Sequence, residues 1–288
     1  MDPSVSFIIP AYNEGDNVGD FLIELKKVLS GISQPSEIIV IDDGSTDDTA
    51  QKVRNMGVEV ITHKENLGYG RSLKDGIRAA KGEYIFFIDA DGTYDISKIP
   101  HMLDMARDTD LVIGKRVFAK KSTHRLKNLA RQFFANQVAY YSKRRIEDLN
   151  SGQRVFKKKD IIDDLHNYPD GFSFTSTQVV FYIVKKKKKI AYTPVAYDHR
   201  GKGSKFLSRK QALAMIKLSL RLTFMGRPRK ITFQLGSIVL ASALITKLEA
   251  DVLGGGLFLY PLIFTMALLA LFFTLLCHIY IFGGMQKN

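Results

Sequence analysis

Short apolar runs alternate with amphipathic patterns of helical period along the first third of the chain. Strands are predicted at residues 5–10, 37–41, 58–62 and 84–88, and helices at 18–28, at 46–56 and up to residue 80. Thr46 belongs to the residue types that cap helix N-termini, so the second helix is expected to begin there. This alternation predicts an α/β fold, a doubly wound, mostly parallel sheet with helices on both faces.

Beyond residue 109 the pattern continues less regularly. A strand is predicted at 110–115, a helix at 124–141, a loop at 148–153 that passes into a strand at 154–156, a helix at 175–186 and a strand at 190–197. The lysine run at 185–189 is interpreted as a solvated or lipid-facing helix end, and not as a specific ligand site.

The apolar run at 84–88 predicts a central strand, because it is rich in Phe and β-branched residues on both faces. It ends in Asp-Ala-Asp-Gly, at the carboxyl end of the strand, where open α/β sheets place their ligand crevice. Side chains at i and i+2 of an extended chain share one side, so Asp89 and Asp91 can converge on one Mg²⁺ or Mn²⁺. The plainer interpretation is a turn that ends a strand.

Glycine motifs that cradle phosphates are absent from the predicted strand ends. Neither Gly-x-Gly-x-x-Gly after the first strand nor Gly-x-x-x-x-Gly-Lys-Ser/Thr occurs. Instead, the first strand runs into Pro-Ala-Tyr-Asn-Glu at 10–14, and the second runs into Asp42 and Asp43. An aromatic ring and carboxylates at strand ends can stack on a base and accept hydrogen bonds from a base or a ribose.

Apolar runs near the carboxyl end of the chain predict membrane spans. Residues 252–285 contain no Lys, Arg, Asp or Glu, more than the ~20 residues that cross a bilayer. The uncharged run 231–246 is about 24 Å long as a helix. Basic residues flank this pair and acids occupy its connection, so the positive-inside rule places both ends in the cytoplasm. We therefore expect a multi-pass protein of the cell membrane, with two transmembrane helices in 230–288 and its large N-terminal domain on the cytoplasmic face. A buried soluble hairpin is the alternative.

The formal net charge of +13 is concentrated in one belt. Residues 185–230 hold 15 of the 42 Lys and Arg residues and a single acid, Asp198. Within the belt, residues 206–229 form a predicted basic amphipathic helix, which can lie in the membrane interface or pack on the protein's own core. No nucleic-acid partner is expected, because the belt adjoins the predicted spans and carries no recognised motif. The single cysteine, Cys277, excludes an intramolecular disulfide and suggests no zinc site.

Six motifs in register resemble those of family-2 glycosyltransferases with the GT-A fold. They are Ile-Pro-Ala-Tyr-Asn-Glu at 9–14, Ile-Asp-Asp-Gly-Ser-Thr-Asp at 41–47, Asn-Leu-Gly at 66–68, Asp-Ala-Asp-Gly at 89–92, Asp-Leu-Asn-Ser-Gly-Gln-Arg at 148–154 and His-Arg-Gly-Lys-Gly-Ser-Lys at 199–205. The branch they most resemble is that of the polyprenyl-phosphate sugar synthases, the dolichol-phosphate mannose synthase group and its bacterial glucosyl relatives. The resemblance implies a GT-A domain over residues 1–205.

The resemblance also implies a role for each of a set of residues. The donor nucleotide would be held by Pro10, Ala11, Tyr12, Glu14, Asp42, Asp43, Arg71, Asp89 and Ala90, and the metal by Asp89 and Asp91. The acceptor phosphate would be held by Arg116, Arg131, Arg200 and Lys205, with Arg125 as a competitor of Arg131. Asp91 and Asp148 are the catalytic candidates, and Asp148 is open to three interpretations, a base, an orienter or a structural cap. Arg154 could pair with a carboxylate.

Two positions depart from the family pattern. Gln is frequent two residues past the second Asp, where this chain has Thr93, so Thr93 or water is expected to substitute in the metal's coordination. Gln153 stands where an aromatic residue is frequent, which would alter the acceptor pocket.

The implied reaction moves one sugar, glucose or mannose, from a nucleoside-diphosphate sugar to polyprenyl (dolichyl or undecaprenyl) phosphate in a single inverting displacement. The metal would neutralise the leaving diphosphate, and a lipid phosphate with a second pKa of about 6 needs positioning by Arg side chains more than a strong base. The bilayer is an expected partner, and a homo-oligomer stays open. The alternatives are a transferase with a glycan or glycolipid acceptor, and an inactive nucleotide-binding membrane scaffold.

Overall fold

The computed structural model describes residues 4–118, 136, 139, 146–171 and 173–198. No helix in these ranges is long and apolar enough to cross a membrane. The predicted amphipathic helix at 206–229, the predicted transmembrane hairpin at 230–288 and most of the helix predicted at 124–141 lie outside the described residues.

The first half of the described chain alternates strand and helix as predicted. Its elements are β1 (Val5–Ala11), α1 (Val18–Leu29), β2 (Ser36–Asp42), α2 (Thr49–Asn55), β3 (Glu59–Thr62), α3 (Tyr69–Ala79) and β4 (Tyr84–Phe87). The second half is less regular. It contains a 3₁₀ turn (Ile96–Lys98), α4 (Ile99–Met105), β5 (Leu111–Phe118), β6 (Arg154–Lys157), two 3₁₀ turns (Lys158–Asp160 and Ile162–Asn167), α5 (Phe174–Val180) followed by a π turn (Phe181–Lys185), and β7 (Ile190–Tyr197).

In the described part of the chain, seven strands form one sheet in the order β3-β2-β1-β4-β6-β5-β7. β6 is antiparallel to both of its neighbours, β4 and β5, and every other pair is parallel. The predicted mostly parallel sheet is therefore confirmed, as a mixed sheet with one reversed strand. The reversal matters for the site, because the residues that precede β6 arrive at the edge where the parallel strands end.

The core lies on both faces of the sheet, as the apolar run in β4 predicted. Residues 85–88 have no exposed surface. On one face, Phe86 stacks on Phe7 with ring centroids 5.0 Å apart, in a cluster that includes buried residues of α1 and α4. On the other face, Phe87 meets Phe156 edge to face at 5.0 Å, and α3 packs Gly76 against Ile8. Successive side chains of the central strands point to opposite faces of the sheet, so helices pack against it on both sides.

The prediction that Thr46 caps α2 is wrong. α2 begins at Thr49, and the Thr46 backbone N donates instead to Asn13 Oδ1 at 2.8 Å. The Asp47 carboxylate accepts from the backbone N of Thr49 and of Gly15, both at 3.0 Å. These polar residues therefore tie the β1–α1 loop to the β2–α2 loop, and the helix starts after them.

Helix α4 has no counterpart among the predicted elements. Pro100 stands in its first turn, where the missing N–H costs no hydrogen bond, and Ile99, Met102 and Leu103 are its buried residues. The helix has only seven residues, which is too short for an apolar period to stand out in the sequence.

The lysine run was interpreted as a solvated or lipid-facing helix end, and two of its members form ion pairs within the protein. Lys186 Nζ lies 2.8 Å from Asp164 Oδ2. Lys188 Nζ lies 2.9 Å from Asp160 Oδ1 and 3.1 Å from Asp110 Oδ1. Acids from separate segments converge on these lysines, so the run joins the end of the π turn to the start of β5.

A pair of glycine substitutions tests how closely α3 packs on the loop at 169–171. A Cβ on Gly70 would collide with the carbonyl oxygen of Pro169 and lie 2.8 Å from that of Gly171. Because both neighbours are backbone atoms, we expect Gly70→Ala to destabilise the domain by about 1–3 kcal/mol. A Cβ on Gly19, in α1, would have nothing within 4 Å of it, so Gly19→Ala should stabilise by about 0.5–1 kcal/mol. Denaturant unfolding of the two variants measures this difference, and equal effects would contradict the packing.

Candidate functional site

The paired carboxylates predicted to bind a cation lie just beyond β4. Tyr69 OH donates to Asp89 Oδ1 at 3.0 Å, and the Thr93 backbone N and hydroxyl donate to Asp91 Oδ1 at 3.0 and 2.6 Å. Burial, together with the negative charge of Asp91, raises the pKa of Asp89 to about 6. The two carboxylates are thus close enough to repel each other.

The donor set at this place fits a divalent cation, because a bound Mg²⁺ or Mn²⁺ would relieve that repulsion with hard oxygen ligands. No cluster of three or more His, Cys, Asp or Glu side chains occurs within the described ranges. A cation held by Asp89 and Asp91 would therefore take its remaining ligands from a bound substrate or from water. The Thr93 hydroxyl donates to Asp91 Oδ1 and so positions that carboxylate, and its substitution for a metal ligand stays a prediction.

Two residues that sequence reasoning did not single out shape the surroundings of Asp89. Burial, with the charge of Asp89 next, raises the pKa of Tyr69, so its hydroxyl keeps the proton that it donates. Gly152 lies against the Asp89 carboxylate so closely that a side chain there would collide with it. The Gly152 backbone N donates to Tyr94 OH at 2.7 Å. Gly152 belongs to the motif at 148–154, so the sequence did point to this segment. Its contact with Asp89 could not be predicted, because that contact depends on the antiparallel direction of β6.

The predicted nucleoside residues surround the end of β1. Tyr12 is 44% exposed, and its neighbour Asn13 adopts a left-handed conformation with φ 54°. The Asn13 backbone N donates to Ser45 Oγ at 3.0 Å, which links this turn to the one after β2. Asp42 is buried and accepts from the Ser45 backbone N at 3.2 Å. Glu14 accepts from Asn17 Nδ2 at 2.9 Å.

The remaining members of the predicted donor set are either wholly or partly buried or bonded to other residues of the protein. Pro10 is half-buried, and Ala11 and Ala90 are buried. The Asp43 carboxylate accepts from the backbone N of Leu67 and of Gly68, both at 2.9 Å. Arg71 Nε donates to Asp75 Oδ2 at 2.6 Å, on the exposed side of α3. Asp43 therefore holds the loop at 66–68 in place. Arg71 forms an ion pair with Asp75 of its own helix.

Arg116 and Asp148 form a bidentate ion pair, with Nε to Oδ2 and Nη2 to Oδ1 both at 2.8 Å. Only 11% and 8% of these side chains are exposed. Burial alone would raise the pKa of Asp148, but the hydrogen bonds and charge of Arg116 outweigh it and lower that pKa. The guanidinium carbon also lies 5.5 Å from the Tyr197 ring centroid and 5.8 Å from that of Phe118. Asp148 in this arrangement is an ionised orienter of Arg116.

The turn after Asp91 is joined to the end of β7. The Asp198 backbone N donates to Thr93 O at 3.0 Å, and the Asp95 backbone N donates to Ala196 O at 3.1 Å. The chain therefore leaves β7 beside the paired carboxylates. The predicted phosphate ligands Arg131, Arg200 and Lys205, and the competing Arg125, lie outside the described residues.

Arg154 and Gln153 are fully buried, which the sequence did not indicate. Among the described residues, Arg154 makes no hydrogen bond to a carboxylate. Its guanidinium donates to Thr175 O at 2.9 Å, to Gln178 Oε1 at 3.1 Å, and to the carbonyl oxygens of Ser151 and Leu149. Gln153 Nε2 donates to Asp95 O at 3.3 Å. The Gln153 side chain has no exposed surface, and the expectation that it alters an acceptor pocket stays a prediction.

Comparison with known proteins agrees with this geometry. The sequence model of Glycosyl transferase family 2 matches residues 6–173. Glycosyltransferase AglJ of Haloferax volcanii is 26% identical over 205 residues, which cover 70% of this chain and 65% of AglJ. The dolichyl-phosphate beta-glucosyltransferase of Saccharomyces cerevisiae is 25% identical over 245 residues, which cover 74% of this chain and 72% of that protein.

A solved structure shares the fold. The crystal structure of glucosyl-3-phosphoglycerate synthase from Mycobacterium tuberculosis, in complex with Mn²⁺, uridine diphosphate and glucosyl-3-phosphoglycerate, superposes with a TM-score of 0.54 at 19% identity, covering 77% of this chain and 79% of that one. The family match spans more than half of the sequence and contains both carboxylates, the reversed-strand loop and the turns after β1 and β2. This chain therefore belongs to glycosyl transferase family 2 and is a glycosyltransferase with the GT-A fold.

Proposed function

We propose that this glycosyltransferase moves one hexose, glucose or mannose, from a nucleoside-diphosphate sugar to polyprenyl phosphate, of the dolichyl or undecaprenyl type. The observation that carries the proposal is that two carboxylates and the nearly buried Arg116 lie near one another at one edge of the sheet. Asp89 and Asp91 suit a cation on the donor diphosphate, and Arg116 suits a phosphate on the acceptor. Dolichyl phosphate in the name of the yeast relative supports the same acceptor class.

On the donor side, each described residue has a definable part. Tyr12 offers an exposed ring on which a base can stack, and the buried Asp42 can accept a hydrogen bond from the nucleoside. Asp89 and Asp91 would hold Mg²⁺ or Mn²⁺, and the cation would neutralise charge on the leaving diphosphate. Tyr69 keeps Asp89 oriented toward that position.

On the acceptor side, the proposed nucleophile is the lipid phosphate itself. Much of it is dianionic near neutral pH, because its second pKa is about 6, so attack at the anomeric carbon in a single inverting displacement needs no strong base. Asp148 agrees with this, since an ionised carboxylate held by Arg116 serves to aim the guanidinium. Arg131, Arg200 and Lys205 complete the proposed phosphate site. The hydrogen bond from Asp198 to Thr93 supports this, because β7 then ends beside Asp91.

The membrane part of the proposal rests on the sequence. We propose that residues 206–229 lie at the interface, that residues 230–288 cross the bilayer twice, and that the catalytic domain faces the cytoplasm. Arg200 and Lys205 stand just before residues 206–229 in the sequence, so we propose that they bind a phosphate at headgroup depth while the prenyl chain stays in lipid.

The proposal is tested by offering membranes that contain the full chain a panel of radiolabelled sugar nucleotides, with added polyprenyl phosphate and Mg²⁺ or Mn²⁺. We expect one donor to give a labelled product that partitions into organic solvent. Labelling of a glycan or a glycolipid in the absence of polyprenyl phosphate would show that the acceptor is that glycan or glycolipid and not a lipid phosphate. Donor binding with no transfer to any acceptor would support the inactive scaffold.

A charge-conserving swap at Arg116 tests the acceptor assignment. Arg116→Lys keeps the positive charge but loses the planar fork that faces Asp148, so we expect the acceptor KM to rise about ten-fold. The donor KM should stay within about two-fold, because Arg116 is not placed on the nucleotide. Lys115→Arg is the matched control, because Lys115 pairs with Glu147 at 2.7 Å in a more exposed position. A rise in the donor KM alone would move Arg116 to the donor side.

A further inference from the structure

Tyr197, the last residue of β7, lies between Arg116 and the turn that follows Asp91. On one side, β5 runs parallel to β7, and Phe118 of β5 is the register partner of Tyr197. On the other side, the turn after Asp91 runs antiparallel to β7, with Tyr94 opposite Tyr197. The strand order therefore places one side chain between the proposed acceptor ligand and the proposed metal site.

The ring of Tyr197 supports the guanidinium of Arg116. Arg116 and Phe118 are two residues apart on an extended strand, so their side chains leave the same face of the sheet. The guanidinium carbon lies 5.5 Å from the Tyr197 ring centroid and 5.8 Å from that of Phe118, and the two rings meet edge to face at 5.4 Å. A cation within about 6 Å of an aromatic ring is attracted by it. The rings therefore help Asp148 to hold the guanidinium in one position.

The hydroxyl of Tyr197 reaches the turn beside the proposed metal site. Burial raises the pKa of Tyr197, and a hydrogen bond with the Thr93 side chain opposes that rise. The charge of Asp91 raises the same pKa, and the charge of Arg116 lowers it. Thr93 also donates to Asp91 Oδ1 at 2.6 Å. The hydroxyl is thus connected through Thr93 to a carboxylate that is proposed to bind the metal.

Tyr94 strengthens the connection between β7 and the acidic pair. Its ring meets that of Tyr197 edge to face at 4.9 Å, and its hydroxyl accepts from the Gly152 backbone N at 2.7 Å. Gly152 in turn lies against the Asp89 carboxylate. Two main-chain hydrogen bonds, one on either side of Tyr197, hold β7 to the same turn. The two tyrosines therefore connect the surroundings of Asp89 to Arg116.

We propose that Tyr197 is a positioning residue that sets the separation between the acceptor phosphate and the metal-bound donor diphosphate. Its ring holds Arg116, and its hydroxyl holds the turn after Asp91. Transfer needs the attacking oxygen within about 3–3.5 Å of the anomeric carbon, so a small error in this separation lowers the rate. This role rests on the proposed function, because it takes Arg116 as a phosphate ligand and Asp91 as a metal ligand. The contact of the ring with Arg116 does not depend on it.

Two substitutions separate the ring from the hydroxyl. Tyr197→Phe keeps the ring beside Arg116 and removes the hydroxyl, whereas Tyr197→Leu removes both. We expect Tyr197→Leu to raise the acceptor KM about ten-fold and to lower kcat about ten-fold. Tyr197→Phe should restore the acceptor KM to within about two-fold and lower kcat about three-fold. The donor KM should stay within about two-fold in both variants. An unchanged acceptor KM in Tyr197→Leu, or an equal rise in the two variants, would overturn the proposal.

Tyr84→Leu is the matched control. Tyr84 also lies beside a cation, with Lys157 Nζ 5.5 Å from its ring centroid. It stands at the start of β4, whereas Asp89 lies beyond the end of that strand. We expect kcat and the acceptor KM of Tyr84→Leu to stay within about two-fold of the wild type. An equal loss of transfer in Tyr84→Leu and Tyr197→Leu would reduce Tyr197 to a packing residue and overturn the proposal.

A double-mutant cycle shows whether Tyr197 acts through Arg116. Arg116→Lys and Tyr197→Leu are each expected to raise the acceptor KM about ten-fold. Residues that act as one unit have effects that do not multiply, so the double variant should also show a rise of about ten-fold. A rise of about a hundred-fold would mean that the two side chains act independently, and would overturn the proposal.

The contact between the ring and Arg116 is measured without any substrate. In ¹H–¹⁵N NMR of the full chain, the Arg116 Nε–H resonance is assigned by its absence in Arg116→Lys. We expect a ring-current shift of this proton that persists in Tyr197→Phe and shrinks in Tyr197→Leu. The same shift in all three proteins would overturn the proposal. A ring-current shift in a wild type that transfers sugar only to acceptors without a phosphate would remove the proposed function and overturn the acceptor role of Tyr197, while the ring contact would remain.

Discussion

Asp91→Asn is expected to reduce sugar transfer by about a thousand-fold, since metal stabilisation of charge on a leaving group is worth several kcal/mol. The amide keeps an oxygen that can accept from the Thr93 backbone N and hydroxyl, as Asp91 Oδ1 does. The turn should therefore survive, while the negative charge that the cation needs is lost. Transfer is measured over a titration of Mg²⁺ and of Mn²⁺, and unfolding by heat serves as the check on the fold.

Asp95→Asn is the matched control for Asp91→Asn. Asp95 follows in the same turn, and its carboxylate accepts only from the Ser97 backbone N, at 2.9 Å, among the hydrogen bonds of the described residues. We expect it to keep transfer within about three-fold, since a surface substitution of this kind changes stability little. Wild-type turnover in Asp91→Asn at saturating metal would show that Asp91 is not a metal ligand.

Arg154→Met is expected to destabilise the catalytic domain by about 3–5 kcal/mol, because it removes the donors of a fully buried cation and leaves their acceptors unpaired. The carbonyl oxygens of Leu149, Ser151 and Thr175 would lose their side-chain partner. For a domain of this size the thermal midpoint should fall by about 10 °C. Calorimetry or a dye-based melt of the full chain in detergent measures the change.

The same substitution at an exposed arginine separates burial from residue type. Arg107 pairs with Asp104 at 3.5 Å at the end of α4, and both side chains are mostly exposed. Arg107→Met should change stability by no more than about 0.5 kcal/mol. Equal losses in the two variants would mean that the hydrogen bonds of Arg154 do not hold the loop at 148–153.

Local signals predicted the parts of the site that depend on one segment of chain. The carboxylates at 89 and 91 could be placed because an apolar run ends directly before them, and a buried strand determines where its end lies. The turns after β1 and β2 could be placed for the same reason. Short elements such as α4 carry too few residues for a period, and so escaped prediction.

Contacts between distant segments could not be predicted. Arg116 and Asp148 are 32 residues apart, and their ion pair depends on β6 running antiparallel beside β5. From the sequence alone, Arg116 was assigned to the acceptor phosphate, and Asp148 was left open as a base, an orienter or a structural cap. A carboxylate such as Asp43, which binds its own protein's backbone, has the same sequence appearance as one that faces a ligand. Arg154 likewise gave no sign that it would be buried.

The placement of β6 has a consequence for synthesis on the ribosome. β6 is the sixth strand along the described chain, but it lies inside the sheet, between β4 and β5. Strands β1 to β4 can pair as soon as they emerge, whereas the Asp89 carboxylate meets Gly152 only when β6 inserts. A nascent chain halted before residue 157 would thus carry both acids in water without their enclosure. The proposed cation site is therefore completed late, after most of the catalytic domain has been translated.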